Sequence, residues 1–215
     1  MRAVGAKTAA ELAAELELRR LKDDFHRAER AREEAERAEW YRLLEIAEKP
    51  VAEDLRSMGL DVDSAWDLYL IPDSRPKAIP VLLKHLALDY PDRVLEGIAN
   101  ALNDPTARPW WADLREMMLS THREAVRDRL AATLSGIATR VHYTDLLDFL
   151  GNDKLGSNRI YFLRPVNRIG NRISPGQGRA VIETVADDPI LGVEANRILD
   201  PQRSEPEPIG ILIPR

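Results

Sequence analysis

Apolar residues recur along this chain in two different rhythms. From Ala6 to Lys49 there is no glycine or proline, and Ala, Glu, Arg and Leu dominate. These are strong helix formers, so the pattern predicts one long helix over residues 8–48. Leu18, Leu21, Phe25 and Ala28 form a 3-4-3 seam that fails where the continuing positions are Arg32 and Glu39. Asp23/Arg27 and Glu33/Arg37 lie four apart with the acid first, the favourable orientation. A sustained coiled coil needs a seam over three or four heptads. The segment is therefore open to two readings: a solvated helix that protrudes or folds back, or a short coiled-coil arm that makes a homo-oligomer. Trp40, Tyr41, Leu43, Leu44 and Ile46 mark where it becomes apolar enough to join the rest.

The second rhythm is a repeat of 32. At that shift Leu86, Met118, Leu150 and Ile182 coincide, as do Ile79, Trp111 and Tyr143, and Leu82, Leu114 and Leu146. A second set aligns Leu102, Leu134, Val166 and Ile198, with Ala99, Ala131, Leu163 and Ala195. Ile98, Leu130 and Phe162 align too, but the fourth member of their column is Glu194. Shifted backwards, Val62, Trp66 and Leu70 fall on the columns of Val94, Ile98 and Leu102. Apolar spacing within each unit is helical, and turn signals such as Asp89-Tyr-Pro91 and Gly151-Asn-Asp153 separate the halves. Each unit reads as a helix, a turn and a second helix. A helix pair cannot bury its own face, and stacking the pairs makes a continuous core. The expected fold is all-α: a right-handed α-solenoid of stacked helix pairs over residues 49–200. It follows the helix of residues 1–48 and precedes an irregular Pro-rich tail, 201–215.

The tetratricopeptide and ankyrin signatures are absent, and the unit is shorter than a long HEAT or armadillo repeat. IPVLLKHLALDYPDRVLEGIANAL (79–102), with VRDRLAATLSGIA and NRIYFLRPVNRIGN as further second helices, resembles the short HEAT-like repeats of phycobilisome-lyase-type proteins. That resemblance implies a ladder in which a turn Asp pairs with an Arg six residues later. Asp153 and Arg159 have that spacing; Asp89 and Arg127 occupy the Asp and Arg columns of other units. It also implies that second helices line a concave surface.

Charge then sharpens the picture. The formal net charge is −5, yet residues 123–179 carry +5, from ten basic and five acidic groups. GSNRIYFLRPVNRIGNR (156–172) holds four of those arginines. On a helical wheel of about 100° per residue, Arg159 falls on the apolar face, as a ladder residue would. Arg164, Arg168 and Arg172 fall opposite it with Tyr161, a stripe for a groove or a solvated charged face. Pro165 predicts a kink, and Gly170 an early helix end that moves Arg172 off the stripe. Trp110 lies outside every apolar column, a helix-boundary residue or a binding anchor.

Chemistry is sparse. With no cysteine, disulfides, Cys-ligated zinc, iron–sulfur clusters and thiol nucleophiles are excluded. His26, His85, His122 and His142 form no H-E-x-x-H and read as structural or surface residues. There is no phosphate-binding or nucleophile-elbow motif, and Ser174-Pro-Gly-Gln-Gly178 reads as an inter-helix turn. The apolar runs, about five residues in IPVLL and IGILI, fall far below the ~20 of a membrane span. No catalytic residue, metal or cofactor is expected. The expectation is a cytoplasmic, non-enzymatic protein-binding module, an adaptor, scaffold or immunity-type inhibitor. It would take an acidic protein partner through Tyr161, Arg164, Arg168, Arg172 and Trp110. A nucleic-acid-binding protein or HEAT-like DNA glycosylase using the same patch is a weaker alternative, because an acidic chain binds phosphate poorly. Self-assembly through the N-terminal helix is another. The IGILI tail reads as an end cap or a linear motif.

Overall fold

A computed structural model describes residues 8–200, so the tail expectations lie outside the described residues. Those residues contain only helical elements and turns, with no strand. They divide into two compact units, one ending at Ala47 and the other beginning at Glu48.

Helix α1 spans Ala9–Ser57, nine residues beyond the expected end. Thr8 and Glu11 start it with a reciprocal capping box: the Glu11 carboxylate accepts from the Thr8 amide, and the Thr8 hydroxyl accepts from the Glu11 amide. The expected pairs Asp23/Arg27 and Glu33/Arg37 give way to Asp24–Arg27, Arg32–Glu36 and Glu39–Arg42. The first unit's seam is not covered: Leu18, Leu21 and Phe25 are 54–60% exposed. The helix passes through Pro50, which removes one backbone bond. Burial of Val51, Ala52 and Leu55 just beyond it offsets that loss. The stop comes at Gly59, whose φ of 80° suits a residue without Cβ. Its amide donates to Arg56, and the Leu60 amide donates to Leu55, the two bonds of a Schellman end.

The second unit follows the 32-residue register. Helices α2 (Arg75–Leu86) and α3 (Asp92–Ala101), α4 (Trp111–Ser120) and α5 (Glu124–Ile137), α6 (Tyr143–Leu150) and α7 (Ile160–Ile173), and α8 (Gln177–Thr184) and α9 (Gly192–Leu199) form successive pairs. The second members pack in chain order, α3 on α5, α5 on α7 and α7 on α9. The aligned columns are the core. Ile98, Leu130 and Phe162 have no exposure, nor do Leu82, Leu114 and Leu146, nor Ala99, Ala131, Leu163 and Ala195. Leu70 departs from its column and is 81% exposed. It follows a short 3-10 turn, Ala65–Tyr69, not a full helix that would carry it inward.

Polar ties repeat the same distance along the chain. Thr133 donates to the Ala99 carbonyl, Trp111 to Asp145, Asn158 to Glu124 and Tyr161 to Asp128, each 33 or 34 residues apart. Arg159, 6% exposed, sits between Asp153 (2.9 Å) and Asp188 (2.8 Å), as expected of a ladder residue. The other rung differs. Arg127 pairs with Glu124 and the Thr121 carbonyl, and it is Arg123 that reaches Asp89 and Asp92.

Two glycines lie where helices α7 and α8 meet. A Cβ on Gly170 would lie 2.6 Å from the Gly178 backbone, and one on Gly178 would lie 2.2 Å from the Asn167 carbonyl oxygen. Helix α7 runs unbroken through the buried Pro165 and past Gly170 to Ile173, so the expected early end does not occur.

Candidate functional site

An open groove of about 830 Å³ crosses three second helices. Ser135 and Gly136 of α5 line one side, Arg164, Pro165, Asn167 and Arg168 of α7 another, and Glu194, Arg197 and Ile198 of α9 the third. Gly136 packs against Asn103, whose amide oxygen a Cβ there would meet at 2.5 Å, and Ser135 donates its hydroxyl to the Tyr161 carbonyl of α7 (2.8 Å). Residues four apart share a helix face, which puts Arg164 and Arg168 on one rim.

Glu194 organises the charge. Its Oε1 accepts from Arg164 Nε (3.0 Å) and Nη2 (2.8 Å), and Arg197 Nη1 lies 3.5 Å from its Oε2. The Glu194 side chain is 17% exposed and that of Arg164 77%. Arg168 is exposed and makes no hydrogen bond or ion pair with any described residue. The groove therefore holds three guanidinium groups and one carboxylate.

The other candidates are placed differently. Arg172 is exposed in the last turn of α7 and does not line the groove. Tyr161 donates its hydroxyl to Asp128 (2.8 Å); burial and that neighbouring carboxylate push its phenol above the usual range. Trp110 is half-buried before the first turn of α4 and is not part of the groove lining. Its neighbour Trp111 is core: it stacks on His142 at 3.8 Å and 3° and donates to Asp145 (2.6 Å). Burial lowers the His142 pKa.

Sequence reasoning missed Glu194 and Arg197 as site residues. The signal for Glu194 was its break in the Ile98–Leu130–Phe162 column. Nothing in the spacing marked Arg197. A second, smaller groove of about 400 Å³ lies among Glu96, Glu124, Asp128, Arg129 and Ser157. Along the second helices, acidic residues of α3 and α5 therefore precede the arginines of α7.

One cluster has the order of a proton relay. Buried His85 contacts Tyr90 Oη through Nδ1 (2.7 Å) and Asp54 Oδ2 through Nε2 (2.9 Å), and Lys84 donates to the same Oδ2 (2.7 Å). Hydrogen bonds from Lys84 and His85 hold the Asp54 pKa down. Tyr90, however, is pushed up, by burial and by the Asp54 charge. The cluster joins Asp54 of α1 to Lys84 and His85 of α2. Among the described residues no group of three His, Asp or Glu side chains is placed to hold a metal, and no helix is long and apolar enough to cross a membrane. Comparison of the chain with known protein families, with curated proteins and with solved structures gives no match.

Proposed function

We propose that residues 49–200 form a HEAT-like, right-handed α-solenoid that binds a protein partner without catalysis. Its groove between α5, α7 and α9 takes an acidic segment of that partner. The sequential packing of second helices and the one-unit spacing of the polar ties support the solenoid. The observation that carries the binding reading is Arg168: an exposed guanidinium with no partner among the described residues, beside a carboxylate already held by Arg164 and Arg197. Glu194 illustrates the group the groove accepts, and Arg168 is the donor left for a second one. Charge-assisted bonds to carboxylate are the strong class, and Arg is enriched at binding hot spots.

A nucleic-acid reading finds less support. Phosphate tracking needs a continuous positive surface, whereas Glu96, Glu124 and Asp128 lie on the preceding second helices. The test is a titration of a fluorescent glutamate-rich peptide and of single-stranded DNA of equal charge. Peptide affinity should fall at least tenfold in Arg168→Glu and rise in Glu194→Gln, where Arg164 and Arg197 are released. DNA binding tighter than peptide binding, or an Arg168→Glu protein that binds the peptide as wild type does, overturns the reading.

A further inference from the structure

We propose that Ser204-Glu-Pro-Glu-Pro208 of this same chain occupies the groove between α5, α7 and α9, and that a partner's acidic segment binds by displacing it; the displacement rests on the acid-binding reading of that groove. Residues 201–215 lie outside the described residues, and their sequence and point of attachment carry the assignment. The guanidinium groups of Arg164, Arg168 and Arg197, against the one carboxylate of Glu194, leave the groove with a net charge of +2. Residues 204–208 hold Glu205 and Glu207 and no basic residue, a net −2. Two donors stand ready for those carboxylates. Arg168 is exposed and has no partner among the described residues. Arg164 binds Glu194 through Nε and Nη2, which leaves its Nη1 outside that pair. Charge-assisted bonds from guanidinium to carboxylate are the strong class.

Attachment keeps the segment at hand. Helix α9 contributes Arg197 and Ile198 to the groove lining, and the chain leaves that helix at Asp200. Glu205 lies five residues further on, and five extended residues span about 17 Å. Packed helices stand about 8–10 Å apart, and α7 packs on α9. Glu205 and Glu207 therefore reach the arginines of α7 with length to spare. A short tether holds its end at an effective concentration on the order of millimolar, and a free partner must compete with that. Pro201, Pro206 and Pro208 each fix φ, which reduces the freedom lost when the segment is held.

The full chain contains no cysteine, so Ser204→Cys carries a single fluorophore in the full-length protein. Its anisotropy should fall when Arg168→Glu is added, and equally when Glu205→Gln/Glu207→Gln is added. The second change leaves α7 untouched, so it decides the matter even where Arg168→Glu unfolds the repeats. Anisotropy that Glu205→Gln/Glu207→Gln does not lower overturns the docking. Anisotropy that climbs with protein concentration, alongside a doubled light-scattering mass, places the segment in a second copy's groove and overturns the contact within one chain. A fluorescent glutamate-rich peptide should bind unlabelled Glu205→Gln/Glu207→Gln protein about fivefold or more tightly than the unaltered protein. Equal affinities overturn the displacement. A peptide that binds neither protein, with the anisotropy changes intact, keeps the docked segment and removes the acidic partner, so the two readings fail separately.

Discussion

The two units of this chain are both helical, and they are held by opposite means. In the first, ion pairs join residues three or four apart, such as Asp24–Arg27 and Arg32–Glu36, and the large apolar side chains stay exposed. In the second, apolar columns 32 residues apart are buried, and polar ties such as Trp111–Asp145 and Arg159–Asp188 span 29 to 34 residues. Local ion pairs on a helix surface contribute about 0.3–0.5 kcal/mol each. A fully buried Leu or Phe contributes about 1.5–3 kcal/mol. Cooperative stability therefore belongs to the second unit, and the first has surface to give to another molecule.

The largest expected effect breaks the second unit at its centre. Leu134 has no exposure and sits in the column of Leu102, Leu134, Val166 and Ile198, one residue from each of the four helix pairs. Leu134→Asp places a carboxylate among side chains with nothing to pair it, and should cost more than about 4 kcal/mol. Urea unfolding followed by circular dichroism should show the second unit's transition lost. A cooperative transition close to wild type would mean that the columns are not one core.

Next in size is Arg159. Buried Arg159 donates to the Leu150 carbonyl as well as to Asp153 and Asp188, so Arg159→Met should lower the urea unfolding midpoint by leaving that carbonyl and the tie to Asp188 without their donor. Arg159→Met/Asp188→Asn should recover part of that drop. The pH dependence has a definite sign. Asp188 is held below its ordinary 3.8 by the backbone N–H groups of Leu191 and Ile190 and then by Arg159. A depressed carboxyl contributes stability that is present above the unfolded value and lost as pH falls through the folded one. Below pH 3.8 the wild type should therefore lose stability faster than Arg159→Met, where the two backbone donors alone remain. Equal slopes would remove Arg159 from the linkage between units.

The sequence shows the second unit well because burial repeats. One column of invisible contacts becomes legible when the same residue types return at each 32-residue step, as Ala99, Ala131, Leu163 and Ala195 do. Asp153–Arg159 was legible for a different reason, the spacing of six that the resemblance to HEAT-like repeats implies, since Leu95, Leu191, Thr121 and Val185 leave those columns unfilled in the other units. What failed lay where the repeat itself fails. Leu70 follows a one-turn helix. Pro50 reads as a stop although Val51, Ala52 and Leu55 bury just after it. Arg123 immediately precedes α5 and Arg127 lies in its first turn, and only the fold decides which of them reaches Asp89. The groove was half legible: Arg164 and Arg168 follow from helical spacing. That Arg164 is committed to Glu194 depends on a residue 30 positions away.

The smallest expected effect sharpens the contrast from the other side. Phe25 is 60% exposed, on a segment whose ties are all local. Phe25→Ser should change the unfolding free energy of the second unit by less than about 0.5 kcal/mol, the range of surface substitutions away from packed features. Hydrogen exchange at α5 is the cleanest readout, because amides in its centre open only with the whole of a cooperative unit. Unchanged protection there means that the exposed seam contributes nothing to the repeat core and is free for another role. Lowered protection means that the first unit is part of the same cooperative structure, and that the division at Ala47 separates contacts without separating stability.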